Sequence, residues 1–334
     1  MSFDLAIRQQ AKDFLEALGG RLKQEAIAVE PNWDVDHLCY RVSTLQNYES
    51  LKKEFSNFSE LLIESDVNGR PIATFKLHKP ILFDEWRIDL IELPAPKAGK
   101  KTIEGFEHIE VVADISFNEF KKRFSHLKLD ESGLKKKFNK ELEISLGERN
   151  IKFHSLSLES VVRLEGQTLI WSAIQKSRVL DILQSFDPLL AGTFPLGLAV
   201  EHSDIDVILN VKNHNEFAAL ARSEWGSLED FNLKNKVVDE LPTTLVKFSI
   251  DGILFELFAQ EKESVKQNAY LHFLAEERLL KLGGPSLKTK VKELRAKGMK
   301  TEEAFARALG LNEDPYMELL KVQKYSNQQM SQLV

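Results

Sequence analysis

Two acidic residues two positions apart, Asp204 and Asp206, stand in otherwise apolar text, Ser203-Asp204-Ile205-Asp206-Val207-Ile208-Leu209. On a strand this spacing turns both carboxylates to one face, where they repel unless a cation lies between them. Glu256 is a lone acid in a second apolar run, Leu254-Phe255-Glu256-Leu257-Phe258, as a third oxygen donor from a neighbouring strand would be. Gly192-Thr193 lies between an apolar run and a helical turn, so backbone N–H groups and the Thr193 hydroxyl can approach a phosphate. Hard oxygen donors beside such a turn suit two Mg²⁺ ions and phosphoryl transfer. The expected catalytic and Mg²⁺-binding set is Asp204, Asp206 and Glu256, with Glu256 also accepting the proton of the attacking hydroxyl. Gly192, Thr193, Ser203 and Lys247 are expected to contact the phosphates. Taken alone, Asp-x-Asp also fits the solvent end of a strand; the glycine turn and Glu256 favour a site.

A different donor set lies in the first half. His37 and His108 occupy equivalent places in two related stretches, with Glu92 and His154 near the end of each. Histidine nitrogens with one carboxylate suit Zn²⁺, Mn²⁺, Fe²⁺ or Ni²⁺, and affinity order alone does not choose among these transition metals. Arg41 shares the strand parity of His37, and Glu110 that of His108, so both are expected to line the same cavity. Arg41 is the candidate holder of an anionic substrate group, and His78 is a spare ligand in place of His154.

The elements that position these residues follow from periodicity. Residues 3–29 carry apolar positions at helical spacing, broken by Gly19-Gly20, which reads as one or two amphipathic helices. From Trp33 to about Leu164 the text turns to short strands with turn signals such as Asn68-Gly69-Arg70-Pro71. Asp36-His37-Leu38-Cys39-Tyr40-Arg41-Val42 is echoed by Glu107-His108-Ile109-Glu110-Val111-Val112, and Lys52-Lys53 by Lys121-Lys122. The histidines are 71 residues apart and the lysine pairs 69, so the register holds and two tandem βαβββ units are expected. A helix over Leu169–Phe186 ends before Pro188, and strands return at Leu189–Ala191, Asp204–Val211, Thr244–Ile250 and Ile253–Ala259. Residues 264–325 read as helical, with breaks at Gly283-Gly284-Pro285, Gly298 and Asp314-Pro315. Their many lysines and arginines fit a solvated helix face better than a phosphate-binding wall, while Lys247 and Arg278 interrupt apolar text.

Resemblance adds to these readings. Residues about 1–165 resemble the YecM family of the vicinal oxygen chelate (glyoxalase-like) superfamily. The resemblance rests on Asp36-His37, Asn68-Gly69-Arg70-Pro71-Ile72, Phe75-Lys76-Leu77-His78, Glu92-Leu93-Pro94, Glu107-His108-Ile109-Glu110 and Ile151-Lys152-Phe153-His154. It implies paired βαβββ units cupping a divalent metal near His37, Glu92, His108 and His154, although His154 stands where a glutamate is more common. Residues about 170–325 resemble an uncharacterised family of nucleotidyltransferase-like domains through Gly192-Thr193, Ser203-Asp204-Ile205-Asp206, Phe255-Glu256-Leu257-Phe258-Ala259-Gln260, Gln267-Asn268-Ala269-Tyr270 and Asp314-Pro315-Tyr316. Gly-Thr replaces the wider fold's common Gly-Ser and keeps a hydroxyl. The expected fold class is α+β: a paired βαβββ vicinal oxygen chelate domain (1–166), then a nucleotidyltransferase-fold α/β domain with a helical C-terminal part (167–325) and a frayed tail (326–334).

Composition sets the limits. The chain has 334 residues, 43% hydrophobic and 29% charged, which suits two globular domains. A net charge of −6 gives no electrostatic reason for an obligatory nucleic acid or membrane partner. One cysteine, Cys39, allows no intrachain disulfide, and no apolar run approaches a membrane span or secretion signal, so a cytoplasmic setting is expected. The leading functional expectation is transfer of a nucleoside monophosphate from a nucleoside triphosphate to an unknown small-molecule or protein hydroxyl acceptor, with homodimerisation left open. The alternatives are a metal-dependent lyase, isomerase or dioxygenase at the His/Glu site with the second domain a nucleotide sensor, or a binding protein with both sites inert.

Overall fold

The computed structural model describes residues 2–67, 69–97, 99 and 101–334, so Asn68 of the expected turn lies outside the described residues. The chain divides into two compact units, Met1–Ala113 with Phe117–Val162, and Asp114–Ser116 with Arg163–Val334.

Alternating apolar and polar text in the first unit produces eight strands: β1 (Asp34–Arg41), β2 (Ser59–Asp66), β3 (Pro71–Phe83), β4 (Trp86–Pro94), β5 (Gly105–Val112), β6 (Leu129–Asp130), β7 (Glu141–Ser145) and β8 (Asn150–His154). They form one sheet in the order β2-β3-β4-β1-β5-β8-β7-β6. Each half is a βαβββ unit whose first strand pairs in parallel with its last, β1 with β4 and β5 with β8. The halves join through antiparallel β1 and β5. Leu38, Ile91, Ile109, Val111, Ile151 and Phe153 are fully or almost fully buried in the apolar core, together with Phe55, Phe75, Phe120 and Phe124. Phe55 stacks on Phe75 with centroids 5.4 Å apart, and Phe120 meets Phe153 at 4.5 Å. Such pairs contribute about 0.5–1.5 kcal/mol each beyond area burial. The polar face of the sheet is thereby left to His37, Cys39, Glu92, His108 and Glu110.

The second unit holds β9 (Leu189–Ala191), β10 (Ile205–Asn210), β11 (Asn232–Val238), β12 (Leu241–Ile250) and β13 (Ile253–Gln260), ordered β11-β12-β13-β10-β9. β10 is parallel to β13 and antiparallel to β9, while Asp251-Gly252 turns β12 into β13. Trp225, Phe248 and Phe255 stack face to face beneath the sheet, at 5.1 and 5.0 Å. The helical part comprises Asn268–Ala296, kinked where Gly284 leaves helical geometry at φ 60°, then Thr301–Leu309 and Pro315–Gln323. This mixed sheet, with its glycine turn after β9, acids on β10 and β13 and a helical C-terminal part, is the α/β arrangement expected for the second domain.

Of the one or two helices read over 3–29 the structure has one, Phe3–Gln24, which runs through Gly19-Gly20 because burial of Leu15, Leu18 and Leu22 outweighs glycine's helix penalty. Three expectations change. The helix expected over 169–186 is split into Thr168–Ser177, Val179–Ile182 and a 3-10 turn, because Arg178 adopts φ 55°. The helix His214–Trp225 and the strand β11 were not anticipated. Residues 326–334 are not a frayed tail: Ser326 and Gln329 form a capping box on the helix Asn327–Ser331, and Met330 is buried.

Candidate metal centre and candidate active site

The register of β1 on β5 sets His37 opposite Glu110 and Cys39 opposite His108, and β4 sets Glu92 opposite Cys39. Paired residues share a face, so imidazoles from both repeats and the Glu92 carboxylate project from one side of the sheet. Donor atoms of His37, Glu92 and His108 all lie within 4.8 Å of one another. His154 groups instead with His37 and Asp36, so the four expected ligands form two overlapping trios rather than one quartet.

Each of the three imidazoles is oriented by its Nδ1. His37 Nδ1 meets Asp36 Oδ2 at 2.9 Å, His108 Nδ1 meets Glu107 Oε2 at 3.0 Å, and His154 Nδ1 meets the Leu156 carbonyl at 2.5 Å. These partners accept, so Nδ1 carries the proton and Nε2 faces the cluster, as in carboxylate–histidine–metal arrangements. The Nε2 atoms gather around Glu110, at 3.7 Å from His37, 3.2 Å from His108 and 3.4 Å from His154. Those of His37 and His154 are buried with no hydrogen-bond partner. Burial opposes charge on His37, yet Glu110 and Asp36 prevail and lift its pKa to about 10. Glu110 is itself held well below the usual carboxylate range: Lys152, at 3.0 Å, and His37 outweigh burial. An acid-rich cluster that draws a proton onto an imidazole and leaves two buried Nε2 atoms without a hydrogen bond fits a divalent metal. Glu110, expected only to line the cavity, is central to it. Arg41 pairs with Glu107 at 2.6 Å and so supports His108 indirectly. His78 is exposed, beside the irregularity of β3, and is not a ligand.

In the second unit Asp206 aligns with Glu256 across β10 and β13, and Glu256 with Lys247 across β13 and β12. Asp204 precedes β10 on the same face. Burial first, then the charges of Asp204 and Glu256, push the Asp206 carboxyl well above its usual range, against the pull of Lys247. Lys247 bridges two of the acids, 2.7 Å from Glu256 and 3.3 Å from Asp204, rather than standing free for a phosphate. Among the described residues the three carboxylates are not a donor group closed to within 4.8 Å. Oxygen-only donors around Asp206, whose pKa is raised by burial and then by its acidic neighbours, nevertheless fit Mg²⁺.

Gly192 explains how Asp206 is placed. Its φ is +75°, and a Cβ there would lie 1.9 Å from Asp206 Oδ2. Gly192→Ala is expected to cost about 1–3 kcal/mol through backbone strain and to displace the carboxylate. A melting temperature equal to the wild type's would contradict this. Thr193 is buried at the start of the helical turn Thr193–Leu196. Ser203 Oγ accepts from the Val200 N–H at 2.9 Å, so it closes the turn before β10 rather than awaiting a phosphate. Arg278 holds the carbonyls of Gln323 and Tyr325 and is structural.

Sequence reasoning missed Glu276. It is buried, one carboxylate oxygen has no partner, and burial followed by Glu302 raises its pKa well above normal. The folded state therefore keeps a proton that the unfolded chain loses, and stability drains away as pH rises from the ordinary glutamate range through the raised value. Glu276→Gln is expected to flatten that slope and to melt higher than wild type at pH 8; parallel melting curves across pH would refute it.

The structure defines a unit of paired βαβββ repeats and a second unit whose mixed five-stranded sheet carries Asp206 and Glu256 on neighbouring parallel strands. The chain belongs to the YecM protein family: that family's profile matches residues 5–146, and a second profile, a domain of unknown function (DUF4269), matches residues 172–322. Protein YecM of Escherichia coli (strain K12) is 31% identical over 167 residues, covering 46% of this chain and 88% of that protein. An uncharacterised protein of Haemophilus influenzae is 40% identical over 81 residues, 24% of this chain, and the chain spans only 42% of its length. Among solved structures, protein EC4020 is 28% identical over 47% of this chain and 90% of its own, with a TM-score of 0.41. The Cid1 poly(U) polymerase bound to MgGTP is 15% identical over 42% of each chain, with a TM-score of 0.30.

Proposed function

We propose that the second unit is a Mg²⁺-dependent nucleotidyltransferase, moving a nucleoside monophosphate from a nucleoside triphosphate to a hydroxyl acceptor. The supporting observation is the row Asp204, Asp206 and Glu256 on one face of β10 and β13, with Asp206 seated against the bare Cα of Gly192. Bound Mg²⁺ would neutralise the triphosphate and the departing pyrophosphate. Asp204 and Asp206 would hold the ions, and Glu256, 23% exposed, would accept the acceptor's proton. Lys247, which bridges Asp204 and Glu256, would be freed toward a phosphate oxygen if bound Mg²⁺ took over the neutralisation of those acids. Pyrophosphate release from a panel of nucleoside triphosphates, with Mg²⁺ or with chelator, tests this; no Mg²⁺-dependent release or binding with any nucleotide would refute it.

A second reading is favoured by the three Nδ1-anchored imidazoles: the first unit holds a divalent transition metal and performs lyase, isomerase or dioxygenase chemistry. His37, Glu92 and His108 would hold it, with Glu110 or His154 completing the set, and the metal would polarise adjacent substrate oxygens. Elemental analysis separates the readings, since stoichiometric transition metal supports the second and a metal-free protein that takes none up rejects it.

A further inference from the structure

We propose that the first unit binds a small organic anion, through a carboxylate or phosphoryl group, in a cavity walled by Arg41, Arg70 and Arg149. The cavity encloses about 670 Å³, within the range of small-ligand sites. It lies between the N-terminal helix, the ends of β1 and β5, and the segment after β4, and none of the cluster histidines lines it.

Its charges are unequally committed. Of the acidic walls, Asp13 accepts from Gln9 Nε2 at 2.7 Å, Glu104 from Ser43 Oγ at 2.5 Å, and Glu107 from Arg41 Nε at 2.6 Å. Glu148 stands exposed at the rim. Arg70 and Arg149, by contrast, have no ion pair among the described residues, and Arg149 Nε is buried without a hydrogen-bond partner. Burial and the neighbouring Arg41 both act against the charge on Arg70. Planar forks that are partly desolvated and crowded by like charge are relieved by an oxyanion, which accepts two parallel N–H bonds from each. Inorganic cations and neutral sugars offer no such relief.

The cavity also touches the histidine cluster. Glu107 is one of its walls and the hydrogen-bond partner of His108 Nδ1. An anion seated on the arginines therefore stands beside a cluster ligand's support. As a binding site it needs neither reading above; as a substrate class, small organic acids or phosphate esters, it rests on the metal-centre reading.

Titration calorimetry on the full chain with malonate and, separately, inorganic phosphate tests it, using wild type, Arg70→Gln, Arg149→Gln, Arg70→Lys and His37→Ala. The expected result is binding of at least one anion, weakened tenfold or more by each glutamine variant. Arg70→Lys should fall between, since it keeps the charge and loses the fork. His37→Ala should retain binding, which separates this site from the metal centre. Which probe binds tells carboxylate from phosphoryl recognition. No binding of either anion to wild type, or binding that survives both glutamine substitutions, overturns the proposal.

Discussion

Asp206→Asn is expected to lower Mg²⁺-dependent pyrophosphate release by about a thousandfold or more while leaving the fold intact. Asp206 is the middle carboxylate of the row, flanked by Asp204 two residues earlier and Glu256 across the parallel strand. Asparagine keeps the shape against Gly192 and removes only the charge. Without metal, that charge is a burden, since burial, Asp204 and Glu256 all oppose it. The variant should therefore melt at or above the wild-type temperature in chelator and lose the stabilisation that Mg²⁺ gives the wild type. Thermal shift with Mg²⁺ and with EDTA, beside a pyrophosphate assay, reads both effects. Turnover within a few fold of wild type would remove Asp206 from the metal site.

His37→Ala is expected to abolish stoichiometric transition-metal binding at the first unit, with Asp36→Ala weakening it about 10- to 100-fold by freeing Nδ1 of its orienting acceptor. The sign of the pH dependence follows from His37. Its imidazole holds a proton up to about pH 10, so metal must displace that proton and affinity should rise with pH toward that value. Calorimetry with Zn²⁺ in buffers of different ionisation enthalpy should show proton release in wild type and less in His37→Ala. Unchanged metal content in the variant, or affinity flat across pH 6–9, would contradict a centre built on His37.

Much of this arrangement is legible in the sequence, for physical reasons. Period-two alternation puts Asp204 with Asp206, and His37 with Cys39 and Arg41, on common faces wherever a strand is regular. Parity does not reveal which strands are neighbours. The bridge from Lys247 to the acids depends on the β12–β13 register, and the central place of Glu110 on the antiparallel pairing of β1 with β5. Parity also stops at irregularities: between Lys76 and Ile81 the β3–β4 register shifts, and His78 there faces solvent. β11 escaped because Lys234, Asn235 and Lys236 deny it an apolar face, as suits an exposed edge strand. Ser203 escaped in the other direction, since a hydroxyl beside Asp204 serves a turn as well as a phosphate.

The most direct measurement of the central claim is calorimetric titration of the full chain with non-hydrolysable nucleoside triphosphates, with Mg²⁺ and again with EDTA. The expected result is one Mg²⁺-dependent site per chain for at least one nucleotide, lost in Asp206→Asn and retained in His37→Ala. Absence of binding by every nucleotide in Mg²⁺, or equal binding in EDTA, would contradict a carboxylate-metal nucleotide site at Asp204, Asp206 and Glu256.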